Sequence, residues 1–335
     1  MHPLFGGDGN YFAASGVGQA QEFFANLRPS PTLLLPADAT ASGFYITNAH
    51  NRFVGNAASG GWAGFAFPSL PAPVSQHRHW RGFAPSMRPT LEFRGNSAHS
   101  SGYYWSAAGC LYVGGVLSYG PPDAPGDELL YNPGRASSFG PGGSAAHGLT
   151  VFNDTKLFLC NNVALQHWGQ APQIFGLETH DFGTRALNFF GNAALRDWLI
   201  TCRTNNTPTV SNVPGASGWV ERHWRSSTTV FQSYDTGQAH ILDNVTFRAC
   251  PEKATAASPA FQLMQMLTHS DQFTPDAMIV TSRFSFENSG GALSRARLGV
   301  TVNATPATWS GRMQNWLDAD GSISGRGNSN NTSSD

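Results

Sequence analysis

Apolar positions in this chain come in short bursts, and the bursts are cut by Gly, Asn and Pro. Residues 43–47 (GFYIT), 110–117 (CLYVGGVL), 157–160 (LFLC) and 243–248 (DNVTFR) are rich in aromatic and β-branched side chains. Runs of that length and composition between turn residues predict strands. Helical spacing is scarce. Residues 19–27 and 259–268 (PAFQLMQMLT) predict two short helices at the margins of the fold. Residues 123–143 and 205–218 read as long surface loops, and the Ser/Asn/Gly stretch 325–335 as a frayed end. No apolar run approaches the roughly 20 residues that a helix needs to span a bilayer.

One short pattern recurs: an apolar residue, a spacer, Asn, then a small residue and Ala or Phe. Its asparagines are Asn56, Asn96, Asn162, Asn192, Asn244 and Asn288. Most of their separations fall near multiples of about 22, the length that one turn of a β-solenoid requires. Stacked turns place equivalent residues one strand spacing apart, about 4.8 Å. Asn tolerates the left-handed turn conformation and its amide can bond its neighbours above and below. The expectation is an all-β parallel β-helix over 41–325, preceded by a cap or linker (1–40) and followed by a disordered tail (326–335).

Composition supports this and narrows the function. Hydrophobic residues make up 40% of the 335, enough for a packed core, whereas charged residues are only 12%. With 20 Lys+Arg against 21 Asp+Glu the net charge is −1. That balance argues against a nucleic-acid or anionic-membrane binder, which needs basic patches. The 37 Gly and 21 Pro disfavour a helical bundle. No P-loop and no strand-borne GxGxxG motif is found, so a nucleotide enzyme is not expected. Cys110, Cys160, Cys202 and Cys250 form no CxxC pair. In a secreted protein they allow two disulfides with three connectivities; otherwise they act as small buried hydrophobes, the expected role for at least two of them. Residues 1–10 lack the basic and apolar regions of a secretory leader. Sequons at Asn153, Asn205, Asn244, Asn303, Asn330 and Asn331 lean towards a secretory context.

Four segments carry a family resemblance. They are 44–67 (FYITNAHNRFVGNAASGGWAGFAF), 93–105 (FRGNSAHSSGYYW), 267–273 (LTHSDQF) and 315–325 (NWLDADGSISG). Together they resemble the β-helix region of large G8-domain proteins: fibrocystin, fibrocystin-L, the cell-migration-inducing hyaluronan-binding protein and its transmembrane relative, and above all protist and algal members. The resemblance implies a right-handed parallel β-helix with extracellular exposure. It also implies a G8 domain upstream, which is not found in this chain, so a piece of a longer polypeptide is expected. Hyaluronan depolymerisation belongs to only some animal members, and none of their catalytic residues is carried over.

Candidate chemistry is dispersed. Glycan cleavage on a β-helix needs carboxylates gathered on one outer face. The catalytic candidates are Asp197, Asp271, His269, His167 and Asp181, with His180 and Asp235 beside them. Asp197 and His167 each lie five residues after a repeat Asn, which predicts that they share a line one turn apart. Asp318 and Asp320, in DADGS, resemble the first half of a Ca²⁺ loop but lack its closing Glu, so a closing turn competes with a metal site. Trp80 with His79 and Arg81, and Trp224 with Arg222 and Arg225, are candidates for gripping an acidic polysaccharide. Aromatic rings stack on sugars, and Arg pairs with carboxylate and sulfate. Each candidate also has a plainer role, in the core or in a solvated turn. Two functions follow: an extracellular scaffold or acidic-polysaccharide-binding module, or a polysaccharide hydrolase or lyase.

Overall fold

The computed structural model describes residues 42–80, 82–102, 108–119, 129–132, 148–169, 172–189, 192–208, 228–233, 239–250, 261–268, 278–289, 298–302, 314–323 and 329–333. They are almost entirely strand. The helical pieces among them are two single 3-10 turns, Ser75–His77 and Pro85–Met87.

The chain passes alternately through two sheets. The first contains β1 (Ser42–Tyr45), β4 (Ala63–Ser69), β7 (Gly109–Tyr119), β10 (Val163–His167), β12 (Arg185–Phe189), β14 (Thr228–Ser233), β16 (Phe261–Thr268) and β18 (Leu298–Val302), in that order. The second contains β2 (Arg52–Val54), β5 (Glu92–Arg94), β9 (Val151–Cys160), β11 (Gln173–Phe182), β13 (Ala193–Thr201), β15 (Ala239–Arg248), β17 (Met278–Glu287) and β19 (Gln314–Asp318). Short strands β3 (Ala57–Ser59) and β6 (Ser97–His99) pair with each other, and β6 pairs with β9. These ladders are parallel. The antiparallel pairs are β7 with β8 (Leu129–Asn132) and β19 with β20 (Ser329–Ser333). Each passage through both sheets, one circuit, adds one strand to each.

Register shows what shapes a circuit. Val54, Arg94, Asn153, Phe175, Arg196, Asp243 and Ser282 form one column. The residue after each has positive φ: Gly55 (66°), Gly95 (64°), Asp154 (48°), Gly176 (66°), Asp197 (60°), Asn244 (57°) and Arg283 (54°). A second such column runs through Gly60, Ser100, Leu159, Asp181, Ala249 and Asn288. Left-handed backbone costs an L-residue about 1 kcal/mol or more, least for Gly, Asn and Asp. Repeating it on successive circuits bends the second sheet along two lines; the chain leaves strand pairing at Gly55 and Gly95, whereas β9, β11, β13, β15 and β17 run on through the first bend.

The core lies between the sheets. Phe65 and Phe67 of β4 meet Phe93 of β5 at ring distances of 5.1 and 6.1 Å, and Phe67 meets Phe152 of β9 at 5.9 Å. In the second sheet, buried and exposed positions alternate on either side of each bend. The first sheet is different. Every residue of β4 and β10 is buried, so these strands carry no polar alternation. Gln166, Asn188 and Gln232 stack there in register, and Asn188 Nδ2 donates to Gln166 Oε1 at 3.0 Å.

Two disulfides, Cys110–Cys160 and Cys202–Cys250, each close a loop one circuit long. All four cysteines are therefore paired, against the expectation that at least two serve as plain hydrophobes. Closing loops of about 50 residues removes roughly 4 kcal/mol of unfolded-chain entropy apiece.

Four further expectations are corrected. Residues 261–268 are a strand, since pairing of Met264 with Phe231 overrides the helical propensity of Met, Leu and Gln. The 123–143 loop contains β8, and the 326–335 tail contains β20. The repeat asparagines form no single ladder. Asn96 Oδ1 accepts from Asn56 N and Nδ2 at 2.9 and 3.0 Å, but Asn162 precedes β10 in the first sheet, and Asn244 and Asn288 occupy different bends. The helix expected at 19–27 lies outside the described residues.

Circuits pack closely enough to exclude a methyl group. A Cβ on Gly64 would lie 2.5 Å from Ala98 Cβ and 2.9 Å from the Cys110 carbonyl oxygen. Gly64→Ala is expected to cost about 1–3 kcal/mol, read as a lower denaturation midpoint. An unchanged midpoint would contradict this packing.

Candidate functional site

A shallow cavity of 290 Å³ follows the first bend of the second sheet. Its floor and rims are built by three consecutive circuits of β9, β11 and β13, plus β15. Along the bend lie Asp154, Gly176, Asp197 and Asn244; two positions on lie Lys156, Glu178, Leu199 and Thr246. Both rows point outward because the buried positions between them, Thr155, Leu177, Trp198 and Val245, face the core. Trp198 is anchored from beneath, its Nε1 donating to Thr179 Oγ1 at 3.0 Å.

The glycine makes the notch. A Cβ on Gly176 would come within 2.6 Å of Asp154 Oδ1. The Asp154 carboxylate therefore leans into space that any side chain there would fill. Asp197 stands on the far side of the notch, two strand steps from Asp154, roughly 9–10 Å along the stack. Asn244 Nδ2 donates to Asp197 Oδ1 at 2.5 Å. Lys156 pairs with Glu178 at 3.2 Å, and His180 lies 3.5 Å from the other Glu178 oxygen.

The candidates read from the sequence are dispersed. Asp197 lies in the groove. His167 does not share its line: it sits on β10 in the first sheet, fully buried, bonded to Thr150 Oγ1 at 3.0 Å. The five-residue offset misled because Asn162 and Asn192 precede strands of different sheets. Asp181 is buried on the second bend, where its oxygens accept from Thr204 N, Thr204 Oγ1 and Thr207 Oγ1. It anchors the turn after β13. Burial lowers the neighbouring Arg203 guanidinium pKa to about 10, an effect that Asp181 opposes. Asp318 Oδ2 accepts from Ile323 N, and Asp320 accepts from Arg283 N and Ser322 N. These bonds close a turn, and the described residues hold no group of three His, Cys, Asp or Glu fit for a metal. Trp80 is 53% exposed, with the His77 and His79 rings at 4.7 and 5.9 Å. Arg81, Arg222, Trp224, Arg225, Asp235, His269 and Asp271 lie outside the described residues.

Asp154, Gly176, Glu178 and Asn244 were not among those candidates. Their signal was the 22- and 21-residue spacing of Asp154, Gly176 and Asp197, hidden when the repeat is phased on asparagine.

One ion network stands beside the groove. Asp243 accepts from Arg283 at 2.6 and 2.8 Å, from Ser282 at 2.8 Å and from Arg196 at 3.0 Å. The hydrogen bonds from Arg283 lead in lowering its pKa to about 2; burial opposes them, and Ser282 and Arg196 add to the lowering. A carboxylate depressed in the folded state stabilises above its unfolded pKa near 4, and that stabilisation fades as pH falls towards 2. Asp243→Asn is expected to lower Tm by a few degrees at pH 7 and to flatten its decline between pH 4 and 2. An equally steep acid decline in the variant would contradict this assignment.

Comparison with known proteins agrees with the fold. Residues 19–104 match the family described as CEMIP beta-helix. A G8 domain-containing protein of Dictyostelium discoideum is 37% identical over 316 residues, covering 92% of this chain and 20% of that protein. Communication mutant protein F and protein rliB, from the same organism, are 36% and 35% identical over 92% and 93% of the chain. The chain spans about a fifth to a quarter of the length of these relatives. With most of the chain aligned to G8-domain proteins and its first strands inside the β-helix model, the comparisons support a β-helix region of the G8/CEMIP group.

Proposed function

We propose that this chain is a right-handed parallel β-helix module of a longer extracellular or cell-surface protein, serving as a rigid spacer that also binds acidic polysaccharide. Strands joined by crossovers into parallel partners of one sheet take the right-handed path in about 98% of cases. Two disulfides suit an oxidising compartment.

The observation that carries the spacer reading is the use made of outward polar groups. Many bond to the next circuit: Asn56 to Asn96, Lys156 to Glu178, Arg196 to Asp243, Thr246 to Ser285 and Arg248 to Glu287. Such bonds run along the stack and stiffen it. The exposed Trp80 ring, flanked by His77 and His79, supports the glycan part: it offers a stacking face beside two imidazole rings.

A second reading is polysaccharide hydrolysis. It is favoured by Asp154 and Asp197 on either side of the Gly176 notch, near the wide carboxylate spacing used when water attacks directly.

Acidic polysaccharides, hyaluronan among them, and neutral ones, each incubated with the purified chain and followed by gel filtration, separate the readings. Co-elution without shortening, weakened by Trp80→Ala, is expected. Shortening abolished by Asp197→Asn would establish the hydrolase. Neither co-elution nor shortening would remove the glycan part of the proposal.

A further inference from the structure

We infer that the groove along the first bend is a binding subsite for an uncharged, hydroxyl-rich saccharide, distinct in ligand class from the acidic polysaccharide assigned to the Trp80 face. The inference goes beyond the spacer reading, and either can fail alone.

Electrostatics narrows the ligand first. Asp154, Glu178 and Asp197 line the groove with Lys156, three carboxylates to one ammonium, while the guanidiniums of Arg196 and Arg283 beside it are engaged by Asp243. A polyanion meets repulsion at the notch. A polycation meets Lys156, 58% exposed and held there by Glu178. A neutral ligand meets neither penalty.

Hydrogen-bonding chemistry narrows it further. Among the described residues the Asp154 carboxylate has neither a hydrogen bond nor an ion pair, although it is drawn over Gly176. Asp197 receives one donor, Asn244. Carboxylates with free lone pairs suit ligand hydroxyls, and charge-assisted bonds of this kind are the stronger ones. Asn244 supplies a carbonyl acceptor, and Thr246 a hydroxyl already shared with Ser285. Along the bend the acceptors stand at Asp154, two strand steps on at Asp197 and one step further at Asn244, with Glu178 on the circuit between the two aspartates, matching a ligand that presents hydroxyls along its length.

Shape and stacking agree. The cavity's 290 Å³ is at the lower end of ligand clefts, room for a short stretch of sugar. Phe175, which precedes Gly176 in the chain and does not line the cavity itself, keeps 38% of its surface exposed. An exposed ring beside carboxylates offers one face for stacking and acceptors for the hydroxyls around it.

Gly176→Asn is the decisive variant. Asn adopts positive φ, as Asn244 does in the same column, so the bend survives. Its side chain fills the notch and meets Asp154. The experiment is calorimetric titration of the full chain with a neutral β-linked gluco-oligosaccharide and, separately, a hyaluronan oligosaccharide of equal length. Saturable binding of the neutral sugar is expected. It should be lost in Gly176→Asn at unchanged or higher Tm, and weakened at least tenfold in Asp154→Asn, which keeps the backbone as it is. Hyaluronan should not compete for this site, and Trp80→Ala should leave the neutral binding intact. No saturable binding of the neutral sugar would overturn the inference. So would binding that survives both variants, or displacement by hyaluronan at equal concentration.

Discussion

Parallel hydrogen bonding between successive circuits is the constraint from which the rest of this structure follows. Once each strand must lie one step above its predecessor, every residue is placed in a column, and each column imposes one conformational demand. The positive-φ columns are the clearest case. Gly55, Gly95 and Gly176 meet the demand with a missing Cβ, Asp154, Asp197 and Asn244 with short polar side chains, and Arg283 carries the strain outright. The inward columns demand aromatic and aliphatic fillers, so Phe65, Phe67, Phe93 and Phe152 interlock across the two sheets. The groove is a by-product of the same rule. Mixing glycine with aspartate in one bend column leaves a gap beside a carboxylate.

Insertions are the exception that the stack has to accommodate. The shortest circuits, from Asn153 to Phe175 and on to Arg196, advance 22 and 21 residues. From Arg94 to Asn153 the advance is 59, and from Arg196 to Asp243 it is 47. Longer loops add closure entropy, though slowly with length. Both of these long circuits overlap a disulfide loop, Cys110–Cys160 and Cys202–Cys250. The cross-links sit where the chain has most freedom to lose.

The all-β class was legible because the second sheet alternates cleanly between its bends. Strand text at 43–47, 157–160 and 243–248 falls within β1, β9 and β15 or at their edges. The period of about 22 also holds for the uninterrupted circuits. The first sheet was harder to read. Val163–His167 is buried throughout, and 261–268 mixes Met, Leu and Gln, so neither shows a period of two. The stacking of amides was anticipated in one pair alone, Asn56 on Asn96, while the other repeat asparagines scatter over several positions; in the first sheet Gln166, Asn188 and Gln232 lie in register, with Asn188 bonded to Gln166. Phasing on asparagine also aligned His167 with Asp197, and hid Asp154 and Gly176. Disulfide partners could not be read at all, because pairing depends on which circuit lies above which.

That dependence makes the cysteines the sharpest probe of the stack. Peptide mapping of the unreduced protein by mass spectrometry reports their connectivity directly. Cys110–Cys160 and Cys202–Cys250 are expected, since each pair spans one circuit in the register described. A link from Cys160 to Cys202, or from Cys110 to Cys250, would join residues that this register keeps apart, and would contradict the parallel stacking on which the account rests.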